Sequence, residues 1–267
     1  MSSYVYDGNG NRTSGKTWGT TFTATVDDQD RLATYNTRTY SYNANEDITS
    51  INWGGSAGTS TFAYDVMGNL TQSVGTAGAV YAFQYDTQNR RVNKYEDAAF
   101  KYRYIYEPGK SIAANLVSGV IQREYVYATS NHVPDYINAV VGTIAKCRII
   151  KDHLGSPRLI VNSTTGSVVQ RLDYNDLGSV TADTSAGYQP FGYAGGIYDA
   201  ALKIVKFGAR DYDPRSGRWM TKDPSLFAGG INLYGYSFND PINFVDGDGK
   251  NSVAIAIVGA GLAVGAI

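Results

Sequence analysis

The chain has 267 residues, including 22 tyrosines, 30 glycines and one cysteine, and its formal net charge is −1 at pH 7. Neither sign of charge clusters, which excludes the basic footprint of a protein that binds nucleic acid or an anionic membrane. One cysteine, Cys147, and two histidines are too few for a zinc site or an internal disulfide. We therefore expect no metal, no cofactor, no nucleic-acid partner and no firm membrane partner.

Imperfect Tyr-Asp repeats fill the first part of the chain. They begin at Tyr6, Val26, Tyr42, Tyr64 and Tyr85, and degenerate copies follow at residues 151–157 and 174–179. Their Asp-Gly, Asn-Gly and Gly-Asn pairs tolerate the positive φ that tight hairpin turns require. Two strands of about six residues and two turns account for a period of about 20 residues. Residues 1–3 show no signal-peptide pattern, and we expect the sequence to begin inside a longer array.

The segments between the turns alternate in the manner of β-strands. Tyr81, Phe83 and Tyr85 share one face of a strand, and no useful length shows helical periodicity. The sequence therefore predicts an all-β fold. Tyrosine rings that pack while their hydroxyls stay wet favour a curled antiparallel sheet with a solvated concave face. An ordinary β-sandwich is the alternative.

A non-repetitive block follows the repeats. It reads Gly-Ala-Arg-Asp-Tyr-Asp-Pro-Arg-Ser-Gly-Arg-Trp-Met-Thr-Lys-Asp-Pro over residues 208–224, with Asn-Leu-Tyr-Gly-Tyr at 232–236 and Asp-Gly-Asp-Gly-Lys at 246–250. Asp213 and Asp240 each precede a proline, and we interpret them as turn caps. The block therefore predicts at least one hairpin and a second turn close behind it.

Two further carboxylates in this block are candidates for chemistry. Asp211 has no turn to cap, and Asp223 precedes a proline that ends a strand. A hairpin centred near Arg215 places Asp211 opposite Trp219, about 13 Å short of Asp223 at ~3.3 Å per residue. The two carboxylates can meet only if the chain bends after Met220.

Together, the Tyr-Asp repeats and the Arg-Asp-Tyr-Asp-Pro block resemble the shells of Rhs/YD-repeat polymorphic toxins, including the Tc toxin shell subunit. Repeats of this kind also occur in teneurin-type adhesion proteins. The resemblance implies a YD-repeat β-ribbon spiral, which forms a partial hollow shell closed by an Rhs core segment. It divides the chain into a ribbon at 1–110, an Rhs repeat-associated core at 111–250, and the apolar start of a truncated C-terminal toxin region at 251–267.

The resemblance also implies that the core acts as an aspartic peptidase that cuts its own chain once. The pair carried over is Asp211 and Asp223, with Arg210 beside them, and the cut falls between Lys250 and Asn251. Two carboxylates held close cannot both ionise at neutral pH, so one keeps a proton while the other activates water. Arg210 is expected to lower the pKa of one carboxylate or to bind the developing oxyanion.

Two positions depart from the family motif before the cut. Gly247 stands where the family has proline, and Lys250 stands where it has leucine. A hydrophobic subsite is expected to reject Lys250, because burying an unpaired ammonium is costly.

The implied role is to enclose an effector, in a protein that a bacterial secretion system delivers to the outside or to the cell surface for interbacterial competition. The implied partners are the chain's own C-terminal toxin region, and upstream repeats or another chain at exposed strand edges. The alternative is a non-enzymatic adhesion module that binds a cell-surface partner or a carbohydrate through tyrosine-rich faces.

The apolar segment 253–267 is shorter than the roughly 20 residues that span a bilayer as a helix. It is interpreted as the start of a truncated domain, with a membrane-active segment or a buried plug as alternatives.

Overall fold

A computed structural model describes residues 3–17, 19–109, 111–142, 146–258 and 261–265, and it describes side chains as far as Val253. Four short 3-10 helices lie at Gly55–Ala57, Tyr193–Gly195, Leu226–Gly229 and Ser237–Asn239. Nearly all other regular structure is β, which confirms the predicted class. None of the helices in the described ranges is long and apolar enough to cross a membrane.

One long antiparallel sheet dominates the described ranges. It contains 18 strands; the first and the last each pair with one neighbour, and every strand between them pairs with the strand before it and the strand after it in sequence. The strands are β1 (Ser3–Tyr6), β2 (Arg12–Thr17), β3 (Thr20–Val26), β4 (Leu32–Tyr35), β5 (Arg38–Tyr42), β6 (Ile48–Asn52), β7 (Thr59–Tyr64), β8 (Leu70–Val74), β9 (Val80–Tyr85), β10 (Arg91–Glu96), β11 (Ala99–Tyr106), β12 (Ile112–Val117), β13 (Val120–Val126), β14 (Tyr136–Ala139), β15 (Lys146–Lys151), β16 (Pro157–Asn162), β17 (Val168–Tyr174) and β18 (Val180–Asp183). We call this sheet the ribbon. It is one continuous meander, which corrects the β-sandwich alternative.

The aspartate of each repeat stabilises a five-residue turn by accepting hydrogen bonds from backbone amides. The Asp65 carboxylate accepts hydrogen bonds from the amides of Met67 and Asn69 at 2.9 and 3.0 Å, and Gly68 adopts a φ of 79°. A side-chain oxygen accepts from the amide four residues later in the same way at Asp7, Asp27, Asn43, Asp86, Asp152 and Asn175. The local sequence therefore dictates the turn, because a short polar side chain satisfies the amides that a tight reversal leaves unpaired.

The tyrosine of a repeat ties it to the repeat before. The Tyr85 hydroxyl donates to the carbonyl of Leu70 at 2.8 Å, and the Tyr106 hydroxyl donates to that of Arg91 at 2.7 Å. Tyrosines 42, 127 and 174 repeat this pattern with the residues that follow earlier turns. Burial raises the pKa of all five hydroxyls, so they remain protonated donors. Our expectation of wet hydroxyls was wrong here, since each hydroxyl bonds a backbone carbonyl.

The C-terminal part of the chain lies inside the curl of the ribbon. A four-stranded sheet of β19 (Ile197–Asp199), β20 (Ile204–Phe207), β21 (Arg210–Asp213) and β22 (Arg218–Trp219) forms its centre. Met220 accepts a hydrogen bond from the Ile48 amide, and the Tyr212 hydroxyl donates to Leu177 near the opposite end of the ribbon. We call residues 190–253 the core segment. The concave face that we expected to be solvated is covered by this segment instead.

The core segment packs through aromatic and aliphatic side chains. Tyr212, Trp219 and Tyr236 are nearly inaccessible to solvent, and their rings pack with centroids 4.5 to 5.7 Å apart. Three buried clusters join the two regions, and each contains residues of both the ribbon and the core segment. Cys147 is buried in one of them, as expected for a small apolar residue.

Two details of the predicted hairpin are settled by the backbone. Gly217 donates to the Asp213 carbonyl at 2.8 Å and has a φ of 68°, which confirms the predicted turn. Tyr212, rather than Asp211, lies opposite Trp219, so the predicted register was wrong by one residue. The loop of four residues between Asp213 and Arg218 moves the centre of the hairpin by half a residue from Arg215.

The chain ends in a third sheet. Its strands are β23 (Phe244–Val245), β24 (Val253–Val258) and β25 (Gly261–Gly265), paired antiparallel in that order. The backbone of the segment predicted to open a toxin region therefore continues from the core segment by strand pairing. The side chains beyond Val253, on which the apolar reading of this segment rests, lie outside the described residues.

Candidate functional site

Arg210 occupies the centre of the candidate site. Its Nη2 lies 2.8 Å from an Asp223 carboxylate oxygen and 3.0 Å from Asp246 Oδ2, and its Nε donates to the Gly249 carbonyl at 2.6 Å. The guanidinium stacks on the Trp219 ring at 4.1 Å. Burial lowers the pKa of Arg210, and the charges of the two carboxylates act in the opposite direction. The geometry is that of a buried cation shared between two acids.

Asp223 serves both the ion pair and a local turn. Its Oδ1 accepts from the Ser225 amide at 2.8 Å and also from the Ser225 hydroxyl, while its Oδ2 contacts Arg210. Asp223 lies just after the short strand β22, where the chain leaves the hairpin, as the sequence required. The bend therefore carries Asp223 to the face of β21 that bears Arg210.

Asp211 lies in a second cluster. It pairs with Arg91 of the ribbon at 2.8 Å, both side chains being 0% exposed, and with Lys206 at 3.5 Å. Neighbouring residues of a strand point to opposite faces, which separates Asp211 from Arg210. Burial lowers the pKa of Lys206, and the Asp211 charge counteracts this. The structure thus joins Arg210 with Asp223 and gives Asp211 cationic partners of its own.

The peptide between Lys250 and Asn251 lies against this site. Ser225 Oγ lies 3.3 Å from the Lys250 carbonyl oxygen, and its single proton can be donated either to that oxygen or to Asp223. The Asn251 amide donates to Asp246 at 3.2 Å and to Asp248 at 3.0 Å. The peptide predicted to be cut is therefore held by side chains at both its carbonyl and its amide. The Lys250 side chain is exposed.

Asp246 was not among the residues predicted for the site. It is 1% exposed, and burial raises its pKa to about 6, while the Arg210 charge acts to lower it. Its Oδ1 accepts from the Lys250 amide at 2.9 Å, four residues later, as in the turns of the repeats. That spacing of an aspartate and a turn was visible in the sequence. Ser225 gave no comparable signal, since its role depends on the fold around Asp223.

A cavity of about 550 Å³ adjoins the site. It lies between turns of the ribbon and the core segment, and its walls include Arg91, Lys206, Pro224, Asp248 and Lys250. Among the residues whose side chains are described, no group of three or more His, Cys, Asp or Glu is placed to hold a metal ion. The described groups at the site are the carboxylates of Asp223 and Asp246, the Arg210 guanidinium and the Ser225 hydroxyl.

The chain is similar in sequence to several animal proteins. It is 27% identical to human teneurin-4 over 199 residues and 28% identical to mouse teneurin-3 over 209 residues, covering 68% and 69% of this chain. Salivary gland surface protein 1 of Aedes aegypti is 30% identical over 146 residues, or 51% of this chain. The matched part spans only 7% of the length of each of the two teneurins.

Solved toxin structures share the fold. A TcdB2-TccC3 structure without its hypervariable C-terminal region has a TM-score of 0.57 at 16% identity, covering 93% of this chain and 13% of the other. The Tc holotoxin pore of Photorhabdus luminescens has a TM-score of 0.55 at 16% identity, covering 97% and 17%. At this level of identity the likeness concerns the fold alone.

A family model settles the classification. The teneurin YD-shell model matches residues 1–242, which include the whole ribbon and most of the core segment. The matched residues contain the repeated aspartate turns and the tyrosine hydroxyl bonds of the ribbon. The chain therefore belongs to the teneurin YD-shell family.

Proposed function

We propose that this chain is the C-terminal part of a toxin shell that encloses an effector and cuts its own backbone between Lys250 and Asn251. One observation carries the proposal: the Lys250–Asn251 peptide is held at its carbonyl by Ser225 and at its amide by Asp246 and Asp248. The Ser225 contact to the carbonyl and the ion pair of Asp246 with Arg210 distinguish this peptide from the turns of the repeats, where an aspartate also accepts backbone amides.

Hydrolysis needs a base for water and a positive group near the carbonyl. In this proposal Asp223 accepts a proton from water; its carboxylate bonds the Ser225 hydroxyl, whose oxygen lies 3.3 Å from the Lys250 carbonyl oxygen. Arg210 balances the negative charge in a site with little access to solvent. We propose that Asp211, through Arg91, fixes the strand that presents Arg210. The chain is cut only once, so a modest rate enhancement is enough.

We propose that the enclosing space is formed together with upstream repeats, because in this chain the core segment covers the concave face of the ribbon. Contacts at both ends of the sheet converge on the core segment, and the Tyr4 hydroxyl at one end donates to Asp176 near the other at 2.9 Å. We propose that the effector follows the core segment in the chain. We also propose that a bacterial secretion system delivers the protein outside the cell.

Strand edges supply the proposed contacts with other shell elements. β1 pairs on one side with β2, and Val5 and Tyr6 in it are 57% and 41% exposed. Upstream repeats or another chain are proposed to pair with this edge. Light scattering over a wide concentration range tests this point: self-association supports it, and a monodisperse monomer at every concentration contradicts it.

Intact mass spectrometry of the full chain tests the cleavage. We expect a fragment ending at Lys250, and we expect it to be missing in Asp223→Asn and Asp211→Asn. Asp240→Asn is the matched control, because Asp240 also precedes a proline but only caps a turn through Asn243. Cleavage that survives Asp223→Asn at an unchanged rate would contradict the assigned chemistry.

A second cavity favours the non-enzymatic alternative. Its volume is about 430 Å³, and its walls include Tyr102, Tyr104, Gln170 and Tyr188. The Tyr102 and Tyr104 rings stack 4.5 Å apart, and Gln170 Oε1 has no hydrogen-bond partner among the described residues. Aromatic faces beside amide groups suit a neutral sugar. Titration calorimetry with N-acetylglucosamine and galactose, compared with Tyr188→Ala, tests this: heat lost in the variant supports it, and no heat with either sugar contradicts it.

A further inference from the structure

We propose that His132 is a positioning residue for the cleavage, because its imidazole supports the turn at residues 246–250 and thereby the Lys250–Asn251 peptide at the end of that turn. This inference rests on the proposed self-cleavage and adds a residue from a loop of the ribbon to it. His132 lies between β13 and β14, far from the peptide in sequence, and no motif of the sequence singled it out.

The Nε2 corner of the His132 ring lies between two glycines of the core segment. A Cβ on Gly247 would lie 3.2 Å from Cε1 and 3.3 Å from Nε2, and its three nearest atoms would all belong to this ring. A Cβ on Gly195 would lie 3.0 Å from both Cδ2 and Nε2. The ring therefore occupies space that these two residues leave open by having no side chain.

A hydrogen bond fixes the ring in this place. His132 Nε2 lies 3.0 Å from the Ala194 carbonyl oxygen, and a carbonyl only accepts, so Nε2 carries the proton. Burial lowers the pKa of His132, and the Lys151 charge acts in the same direction, whereas the bond to Ala194 and the charge of Asp248 act to raise it. The imidazole is therefore uncharged near neutral pH, and its support of the turn comes from packing and one hydrogen bond.

The two halves of the turn are held by different neighbours. Near the end of the turn, Arg210 Nε donates to the Gly249 carbonyl at 2.6 Å. Near its start, no described residue forms a hydrogen bond with the backbone of Gly247, and the His132 ring is the closest group to its Cα face. The imidazole thus limits the movement of the turn at a residue that the hydrogen bonds of the described residues leave free.

The position of Gly247 affects the groups that hold the peptide. Asp246 and Asp248 accept the Asn251 amide at 3.2 and 3.0 Å. These two acids flank Gly247 in the chain, so a displacement of Gly247 shifts both of them. A displacement of about 1 Å can slow a reaction about 100-fold, because the reacting groups must be closely aligned.

Refolding the full chain tests the inference. The uncut chain, purified in denaturant, is diluted into neutral buffer; cutting is followed by mass, and folding by near-ultraviolet circular dichroism. We expect His132→Ala to slow cleavage about 100-fold, because the turn loses its support. His153→Ala is the matched control and should change the rate less than about threefold. His153 Nε2 also donates to a carbonyl of the core segment, that of Ile242 at 2.8 Å, but His153 does not line the cavity beside the site.

Two further variants separate positioning from folding. His132→Gln keeps a flat group that can donate to the Ala194 carbonyl, so it should be cut at least about tenfold faster than His132→Ala. Gly247→Ala brings a Cβ against the ring and should slow cleavage about tenfold. Combined with His132→Ala, the same change should slow cleavage less than about twofold further, because the ring is gone. The φ of Gly247 lies outside the left-handed region, so alanine adds no backbone strain there.

The outcomes separate this inference from the proposal beneath it. If the unaltered chain is cut and refolded His132→Ala is cut equally fast, the inference is overturned and the self-cleavage stands. Equal slowing by His153→Ala, or an equal effect of Gly247→Ala with and without the His132 ring, also overturns the inference alone. If the unaltered chain is never cut, both are overturned. Should His132→Ala fail to refold, Gly247→Ala decides: cleavage as fast as in the unaltered chain overturns the inference.

Discussion

The ribbon and the core segment are held together in opposite ways. In the ribbon, Asp65 caps a turn within five residues and Tyr85 reaches back to Leu70, and the same bonds recur along the sheet. In the core segment, Arg91 and Asp211 meet across 120 positions of the chain and are fully buried. The local bonds recur in many copies, whereas the Arg91–Asp211 ion pair occurs once. Changes of similar chemistry should therefore cost far more in the core segment.

The adjacent residues Arg90 and Arg91 give the sharpest contrast and the largest expected effect. Arg91→Ala leaves Asp211 buried without its closest cation, and we expect the free energy of unfolding to fall by about 3–5 kcal/mol. Arg90 pairs with Asp86 at the surface, with side chains 33% and 23% exposed, so Arg90→Ala should cost less than about 1 kcal/mol. Urea unfolding of both variants measures this, and equal losses would contradict the contrast.

Asp246 of the core segment and the turn residues Asp27 and Asp86 of the ribbon should also respond oppositely to pH. The folded-state pKa of Asp246 is raised to about 6 by burial, so its contribution to stability is complete below the unfolded pKa and is lost as pH rises through about 6. In the turns, burial opposes the charges of Asp27 and Asp86, but bonds from Arg31, Arg90 and backbone amides outweigh it and lower their pKa. Their contribution is present above the unfolded pKa and is lost as pH falls through the lowered values.

Unfolding in urea between about pH 4 and 7 checks these signs. The stability of Asp246→Asn relative to the unaltered chain should rise as pH increases from 4 to 7, because only the unaltered chain must ionise a buried carboxyl group. That of Asp86→Asn should fall over the same range. A difference independent of pH in either variant would contradict the assigned pKa shift.

The tyrosine bonds between repeats should have a moderate effect. Tyr127→Phe removes the hydroxyl that donates to the Ile112 carbonyl at 2.7 Å. We expect a loss of about 1 kcal/mol, because one hydrogen bond is lost and a buried carbonyl remains. Urea unfolding measures the loss, and an unchanged midpoint would show that the bond does not hold neighbouring repeats together.

The turn caps should have the smallest effect. Asp65→Asn keeps the side-chain oxygen that accepts the Met67 and Asn69 amides, as Asn43 and Asn175 do elsewhere. We expect a change of less than about 0.5 kcal/mol. A loss above 1 kcal/mol in urea unfolding would mean that the turns depend on charge, which the asparagine-capped copies contradict.

The ribbon could be predicted from the sequence because the hydrogen bonds that form its turns are local. Aspartate, glycine and tyrosine recur at fixed spacings, and the same spacings separate the residues that form these hydrogen bonds. Lys94 and Asp199 show why the rest could not: they pair at 2.7 Å in the interior, but neither stands in a motif. The order of the turns in the block after Gly208 was predicted, but the predicted strand register of the hairpin was wrong by one residue.

The candidate site was predicted in part. Arg210 and Asp223 meet as the motif implied, because the bend after Met220 follows from a short strand and a proline. The separate partners of Asp211 follow from strand alternation, together with an arginine 120 positions away that no local pattern indicates. Asp246 was not predicted as a site residue, because its place in a turn already accounts for an aspartate there. Its burial beside Arg210 depends on the fold and has no local signal.

The mass of the refolded chain near pH 6 shows whether the Lys250–Asn251 bond is cut. We expect the 267-residue chain to yield one new carboxyl end, at Lys250, and one new amino end, at Asn251, and we expect both products to disappear in Asp223→Asn. A single species at 28.9 kDa after prolonged incubation, from a chain that refolds fully, would contradict it.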